Sequence, residues 1–185
     1  MSSLYYLHGF ASHFDITSPK IRTLAELGPV RGHNIDYTLS AEEVIEDSLD
    51  KLLQVNPDAI VGTSMGGWLA AILATEAGLP FVAINPVIDP TESLKKYAGQ
   101  GFDNQGVPQE LSSTVINSYH PMTEHGHGLI LLDEGDEVID ASRTKEVLDG
   151  YYPIRSFKGG SHRFEHMDEA LYAIRKHLNE CGYNK

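Results

Sequence analysis

Between Asp58 and Trp68 the chain passes from an apolar β-type run, Ala59-Ile60-Val61, through Gly62-Thr63-Ser64-Met65-Gly66 into a stretch of helix formers that extends to Ala74. Strand, Gly-x-Ser-x-Gly, helix is the pattern of a nucleophile elbow. The reason is steric. A strand that reverses at once into a helix brings two backbones together, and Gly62 and Gly66 carry no Cβ to obstruct them. Ser64, at the apex, is forced out of the sheet with its hydroxyl exposed. The new helix points its free N–H groups and positive dipole end at that hydroxyl, which suits an oxyanion.

The rest of the chain repeats the strand-then-helix rhythm. Leu4-Tyr5-Tyr6-Leu7 reads as a buried strand that ends at His8-Gly9-Phe10. Ser18 as N-cap and Pro19 at the first helical position open a helix to about Leu27. Val30 to Tyr37 reads as a second, weaker strand, and Ser40-Ala41-Glu42-Glu43 as a capping box that opens a helix stopped by Asn56-Pro57. The elbow helix closes at Gly78. Leu79 to Ile84, Gly128 to Leu132 and Tyr152 to Phe157 read as further strands. A helix capped by Asp140 runs to Leu148, and a last helix runs from about Phe164 to Asn179. Strands alternating with helices mean a parallel sheet wrapped on both faces, with ligands bound beyond the carboxyl ends of the strands. Pro86 to Gly126 breaks the rhythm. It is too long for a connection and too short for a domain, so it reads as an insertion after the fourth strand, with helical pieces at Thr91 to Tyr97 and Gln109 to Tyr119.

At 185 residues the chain can bury one substantial core, and one domain over 1–185 is expected. A net charge of −12 argues against nucleic acid or an anionic membrane as partner. No apolar run approaches the ~20 residues of a membrane helix, and Met1 to Leu7 lacks the basic start and apolar length of a secretory signal. Cys181, the one cysteine, fits a reducing compartment, so a cytoplasmic location is expected.

A serine hydroxyl is a poor nucleophile at neutral pH and needs a base, which in turn needs a group to orient it. Among elbow-bearing sheets the order along the chain is serine, acid, histidine. For the base, His162 stands in the flexible loop Gly159-Gly160-Ser161; His166 falls in the first turns of the last helix, and His177 near its C-terminus suits a dipole partner. For the acid, Asp136 is the choice, with Val138 and Ile139 to anchor its loop; Asp133 is the runner-up, and Asp140 has a cap to fill. The oxyanion is expected to take the N–H of Met65 and one from the first strand's loop, Phe10 ahead of Ala11. His8 precedes the serine and is expected to bond backbone in its turn. Phe10, Trp68 and Tyr119 are candidate walls of a substrate pocket under the insertion, Trp68 being the better fit for plain core. His120, Glu124, His125 and His127 lack the helical spacing of a metal site, so no metal is expected.

His8-Gly9-Phe10, the Gly62–Gly66 turn, Gly135-Asp136-Glu137-Val138 and Gly160-Ser161-His162-Arg163-Phe164 together resemble the small bacterial α/β-hydrolase esterases of the YqiA type, over nearly the whole chain from Leu4 to about Leu178. The early His-Gly loop matches that family's lack of the two leading strands of larger hydrolases. The resemblance implies an α/β-hydrolase fold with a six-stranded parallel sheet, a Ser-Asp-His triad, esterase or thioesterase activity on short acyl chains, and no cofactor. The partner expected is a small-molecule ester or thioester. Hydrolysis of an amide, lactone or phospholipid ester, or a non-enzymatic binding role on the same fold, are the alternatives.

Overall fold

Leu4–Leu7 is buried along its whole length, as a strand covered on both faces must be. The computed structural model describes residues 3–102 and 107–182. Its strands are β1 (Leu4–Leu7), β2 (Val30–Gly32), β3 (Ala59–Thr63), β4 (Pro80–Ile84), β5 (Gly99–Phe102), β6 (Pro108–Leu111), β7 (His127–Asp133) and β8 (Ile154–Phe157). Six of them form one sheet in the order β2-β1-β3-β4-β7-β8, and every neighbouring pair in it runs parallel. β5 and β6 pair antiparallel as a separate hairpin.

The period of two along the strands divides the core. Tyr5, Leu7, Ile60, Phe81, Ala83, Ile130 and Leu132 face α2 (Ala41–Val55) and α3 (Met65–Ala77). Leu4, Tyr6, Val61, Val82, Ile84, Leu129 and Leu131 face α1 (Pro19–Leu24) and α7 (Met167–Glu180). Helix α3 is buried without interruption from Met65 to Ala74, the signature of a helix with no solvent face. Helix α2 begins at Ser40, whose hydroxyl accepts from Glu43 N–H while Glu43 returns the bond. The remaining helices are α4 (Pro90–Lys95), α5 (Ser113–Ile116) and α6 (Ala141–Leu148). Asp140 caps the last of these, accepting from Ser142 and Arg143. No helix among the described residues is long and apolar enough to cross a membrane.

Three sequence expectations need correction. Strand β2 ends at Gly32 rather than Tyr37, because the following backbone bonds elsewhere: Ile35 N–H donates to His8 Nε2 at 2.8 Å and Asn34 Oδ1 accepts from Phe14 N–H at 2.8 Å. The final helix starts at Met167, not Phe164, because Phe164 takes φ +61° to bury its ring against Phe157. Within the insertion, α4 matches the first expected helix, but the second opens as strand β6 and is helical only in the short α5. Residues 103–106 of the insertion lie outside the described residues. Leu94, Leu111, Ile116, Tyr119 and Met122 join the same buried cluster as Trp68 and Leu69, so the insertion is anchored on α3.

Candidate active site

The elbow between β3 and α3 holds Ser64 at φ 58°, ψ −121°, a sparsely populated region worth ~1–3 kcal/mol of strain. Its surroundings fix it there. Ser64 N–H donates to Ile84 O at 3.0 Å, and Ser64 C=O accepts from Gly67 and Val87 N–H at 2.9 and 3.1 Å. A Cβ on Gly62 would overlap the carbonyl of Gly66, and one on Gly66 the carbonyl of Leu7. The crossing of strand and helix is therefore closed to any side chain at these two positions.

The loops after β7 and β8 bring two more groups to this apex. His162 Nε2 lies 3.1 Å from Ser64 Oγ, and His162 Nδ1 lies 2.8 Å from Asp136 Oδ2. An ionised carboxylate only accepts, so Nδ1 carries the proton and bare Nε2 accepts from the serine hydroxyl. The Asp136 side chain is 1% exposed and that of His162 is 22% exposed. Burial works to raise the pKa of the Asp136 carboxyl. The His162 imidazole and the N–H groups of Ile139 and Val138 outweigh it, and the carboxyl is held below the ordinary range. Val138 and Ile139 thus orient the acid through backbone rather than through apolar packing alone.

A second imidazole–carboxylate pair stands behind the first. His166 Nδ1 meets Asp133 Oδ1 at 2.7 Å. Asp133 is fully buried, and its Oδ2 accepts from Ser161 and Glu165 N–H at 3.2 and 2.7 Å. Asn85 completes the clamp. Its amide donates to the carbonyls of Ser161 and His162, and its Oδ1 accepts Asp133 N–H at 2.9 Å. Together they bolt the loop that carries His162 to the ends of β4 and β7. The sequence assigns Asn85 no role and offers His166 only as an alternative to His162. The available signal was a carboxylate, Asp133, closing a wholly apolar strand, since a buried charge demands several donors.

The first strand's loop is pinned through His8. His8 Nδ1–H donates to Gly9 O at 2.8 Å while Nε2 accepts from Ile35, and Tyr37 hydroxyl donates to His8 O. Burial lowers the pKa of His8, which favours the neutral form that accepting from Ile35 N–H needs. In a trans peptide the N–H points opposite the C=O. Fixing the Gly9 carbonyl toward His8 therefore fixes Phe10 N–H on the other side. Gly9 lies against Ser64, a Cβ there being 3.5 Å from Ser64 Oγ. Met65 is the first residue of α3, so its N–H has no acceptor in the preceding turn.

A cavity of about 660 Å³ opens beside Ser64, within the size range of small-molecule sites. Phe10, Lys20, Thr63, His162, Phe164 and Met167 line it, among others. It lies over α1 and the start of α7, and among the described residues none from the 86–126 insertion stands in its wall. The expected pocket under the insertion is thereby corrected. Phe10 does line the cavity, and its ring meets Tyr97 of the insertion at 5.2 Å. Tyr119 does not: it is 4% exposed, its ring against Trp68 and its hydroxyl donating to the carbonyls of Tyr37 and Leu39. Trp68 is core, with Nε1 donating to His120 O. Among the described residues no three His, Cys, Asp or Glu side chains converge as metal ligands do.

With the geometry in hand, comparisons with known proteins locate the chain. Solved structures similar to it include Est1E from Butyrivibrio proteoclasticus, with ferulic acid bound (TM-score 0.76, 14% identity, 97% of this chain and 89% of that one). A monoacylglycerol lipase from Paleococcus ferrophilus is also similar (TM-score 0.67, 16% identity, 96% and 94%). These likenesses establish the α/β-hydrolase fold. Among sequences, the UPF0227 protein Shewmr7_1806 of Shewanella sp. (strain MR-7) is 29% identical over 185 residues, covering 93% of this chain and 97% of that one. The UPF0227 protein YcfP of Escherichia coli O9:H4 (strain HS) is 26% identical over 180 residues, covering 93% and 96%. Residues 3–179 match the family described as "Uncharacterised protein family (UPF0227)", and the chain belongs to that family.

Proposed function

We propose that this protein is a serine hydrolase that cleaves a carboxylic ester or thioester of a short acyl chain through an acyl-enzyme. The observation that carries the reading is the unbroken line from Asp136 through His162 to Ser64, 2.8 and 3.1 Å, at the edge of a cavity. Similar folds that bind ferulic acid or are named monoacylglycerol lipase support an ester as the bond class.

In the first step Ser64 Oγ attacks the acyl carbonyl as its proton passes to His162 Nε2. Asp136 holds the imidazolium through Nδ1–H. The N–H groups of Met65 and Phe10 receive the oxyanion, each donor being worth ~10²–10³ in rate in comparable sites. Collapse of the tetrahedral intermediate breaks the bond to the alkoxide or thiolate, which takes the proton from Nε2 and departs. Water then gives its proton to Nε2 and attacks the acyl-enzyme; the second tetrahedral intermediate collapses, Ser64 Oγ takes the proton back from Nε2, and the carboxylic acid leaves. The chain acts as one domain in a cytoplasmic setting, with the insertion at about 86–126 bracing the mouth of the site through Tyr97 and Phe10 rather than roofing it.

The test is an ester and thioester panel of increasing acyl length, with amides and lactones as controls. Hydrolysis of short acyl esters or thioesters by the wild type, lost in Ser64→Ala while the thermal transition persists, is the expected result. A folded wild type inert toward the whole panel would overturn the reading.

A further inference from the structure

Lys20 is a cation of the cavity wall that the proposed chemistry does not use. Helix α1 starts at Pro19 and turns the next side chain inward, so that Lys20 lines the cavity with Thr63, Ser64 and His162. Its Nζ meets Thr63 Oγ1 at 3.3 Å, a long bond to an oxygen that already accepts the Tyr6 hydroxyl at 3.0 Å. An ammonium has three N–H groups to place. Among the described residues the lysines in ion pairs are Lys51, Lys95 and Lys176, not Lys20. Asp133 contributes attraction from a distance, but its own oxygens are already taken by Ser161, Glu165 and His166. A half-buried cation therefore stands one residue from the nucleophile with donors to spare, and it faces the space a substrate must enter.

Resting on the reading of Ser64 as the nucleophile, we infer that the cavity selects esters bearing a single carboxylate close to the scissile carbonyl, with Lys20 as the residue that binds that carboxylate. Burial pushes the Lys20 ammonium down to about 8, with Asp133 opposing, which is what a cation short of acceptors shows and what a bound anion would reverse. Asp15, Glu165 and Asp168 also line the cavity. Asp15 is engaged by Thr17 and Asp168 by Thr23. The Arg163 guanidinium also stands in the wall, so the lining apart from Lys20 is three carboxylates against one cation, which disfavours dianions and leaves room for one negative group, held at Lys20. The nearness of Thr63 to Ser64 limits the spacer between carboxylate and carbonyl to a few carbons.

The experiment compares kcat/KM for matched pairs: monoethyl esters of four- to six-carbon dicarboxylic acids against ethyl esters of the corresponding neutral acids, and acetyl esters of short hydroxy acids against those of the matching alcohols. The first pair places the anion on the acyl side and the second on the alcohol side. Wild type should prefer the anionic member of at least one pair by about tenfold or more, the range of a charge-assisted hydrogen bond. Lys20→Met, which keeps the apolar stem, should erase that ratio, chiefly through KM. Equal rates for both members of both pairs in wild type would overturn the inference, as would a Lys20→Met variant that slows both members alike. Hydrolysis of the neutral esters and its loss in Ser64→Ala report separately on the nucleophile, so failure of that reading is distinguishable from failure of this one.

Discussion

His162–Asp136 and His166–Asp133 are built from the same two side chains, the histidines from the segment after β8 and the carboxylates from the end of β7 and the loop after it, at nearly the same separation: 2.8 and 2.7 Å between Nδ1 and carboxylate. Their environments give them different work. His162 turns its free nitrogen to Ser64 Oγ. His166 stacks its ring on Phe157, 5.2 Å between centroids, and does not line the cavity. Asp136 spends its other oxygen on the backbone of its own loop, through Val138 and Ile139. Asp133 spends its on the neighbouring loop, through Ser161 and Glu165. One pair thus moves a proton in the proposed reaction, and the other holds the first in place. An imidazole–carboxylate contact in itself says nothing of catalysis; what the far nitrogen faces decides it.

Substitutions at the two carboxylates should separate these roles. Asp136→Asn keeps the shape but favours the wrong imidazole tautomer, and kcat toward a cleaved ester should drop by ~10⁴ with the melting temperature little changed. Asp133→Asn should do the reverse. Its amide would face N–H donors, leaving buried groups unsatisfied at a cost of roughly 3 kcal/mol, which lowers the melting temperature by about 6–12 °C for a chain of this size. Activity at a temperature where that variant is folded should fall only about tenfold, as the His162 loop loosens. Gly160→Ala probes the same clamp. Gly160 has φ +74° and a Cβ there would strike the Asp133 carboxylate, so destabilisation of about 2–4 kcal/mol should appear in denaturant titration.

The smallest effect is one of pH. Hydrogen bonding to Asp133 raises the pKa of His166. A raised folded-state value means stabilisation that is complete below the unfolded value and is lost as pH rises through the folded one. His166→Asn keeps a neutral donor near the position of Nδ1 but cannot take the charge. The gap in melting temperature between wild type and His166→Asn should therefore be wider at pH 5.5 than at pH 9. A gap independent of pH would mean that the pair contributes as an ordinary hydrogen bond.

The same contrast explains what could be read from sequence. Ser64, Asp136 and His162 are legible because each follows a strand directly, in an order that parallel winding imposes, and each is flanked by a glycine that the local geometry requires. The sheet is legible because Ile60-Val61 and Leu129–Leu132 have few alternatives to burial. The clamp is not, because Asn85 and Asp133 act through partners more than seventy and nearly thirty positions away, Ser161 in both cases. The side of the cavity is not, because it depends on how α1 docks against α7. The β5–β6 hairpin is not, because Gly99, Gly101 and Pro108 disrupt any alternation of apolar and polar residues. Tyr119 misled for a simpler reason: an aromatic in an insertion serves a pocket wall or a core equally well, and here Trp68 claims it.

The account as a whole is tested most directly by reaction of the intact protein with a fluorophosphonate, followed by mass mapping of the adduct. The in-line arrangement predicts a single phosphonylated residue, Ser64, with labelling slowed by orders of magnitude in His162→Ala and unaffected in rank by His166→Ala. An adduct elsewhere, no adduct on folded protein, or equal labelling of wild type and His162→Ala would contradict it.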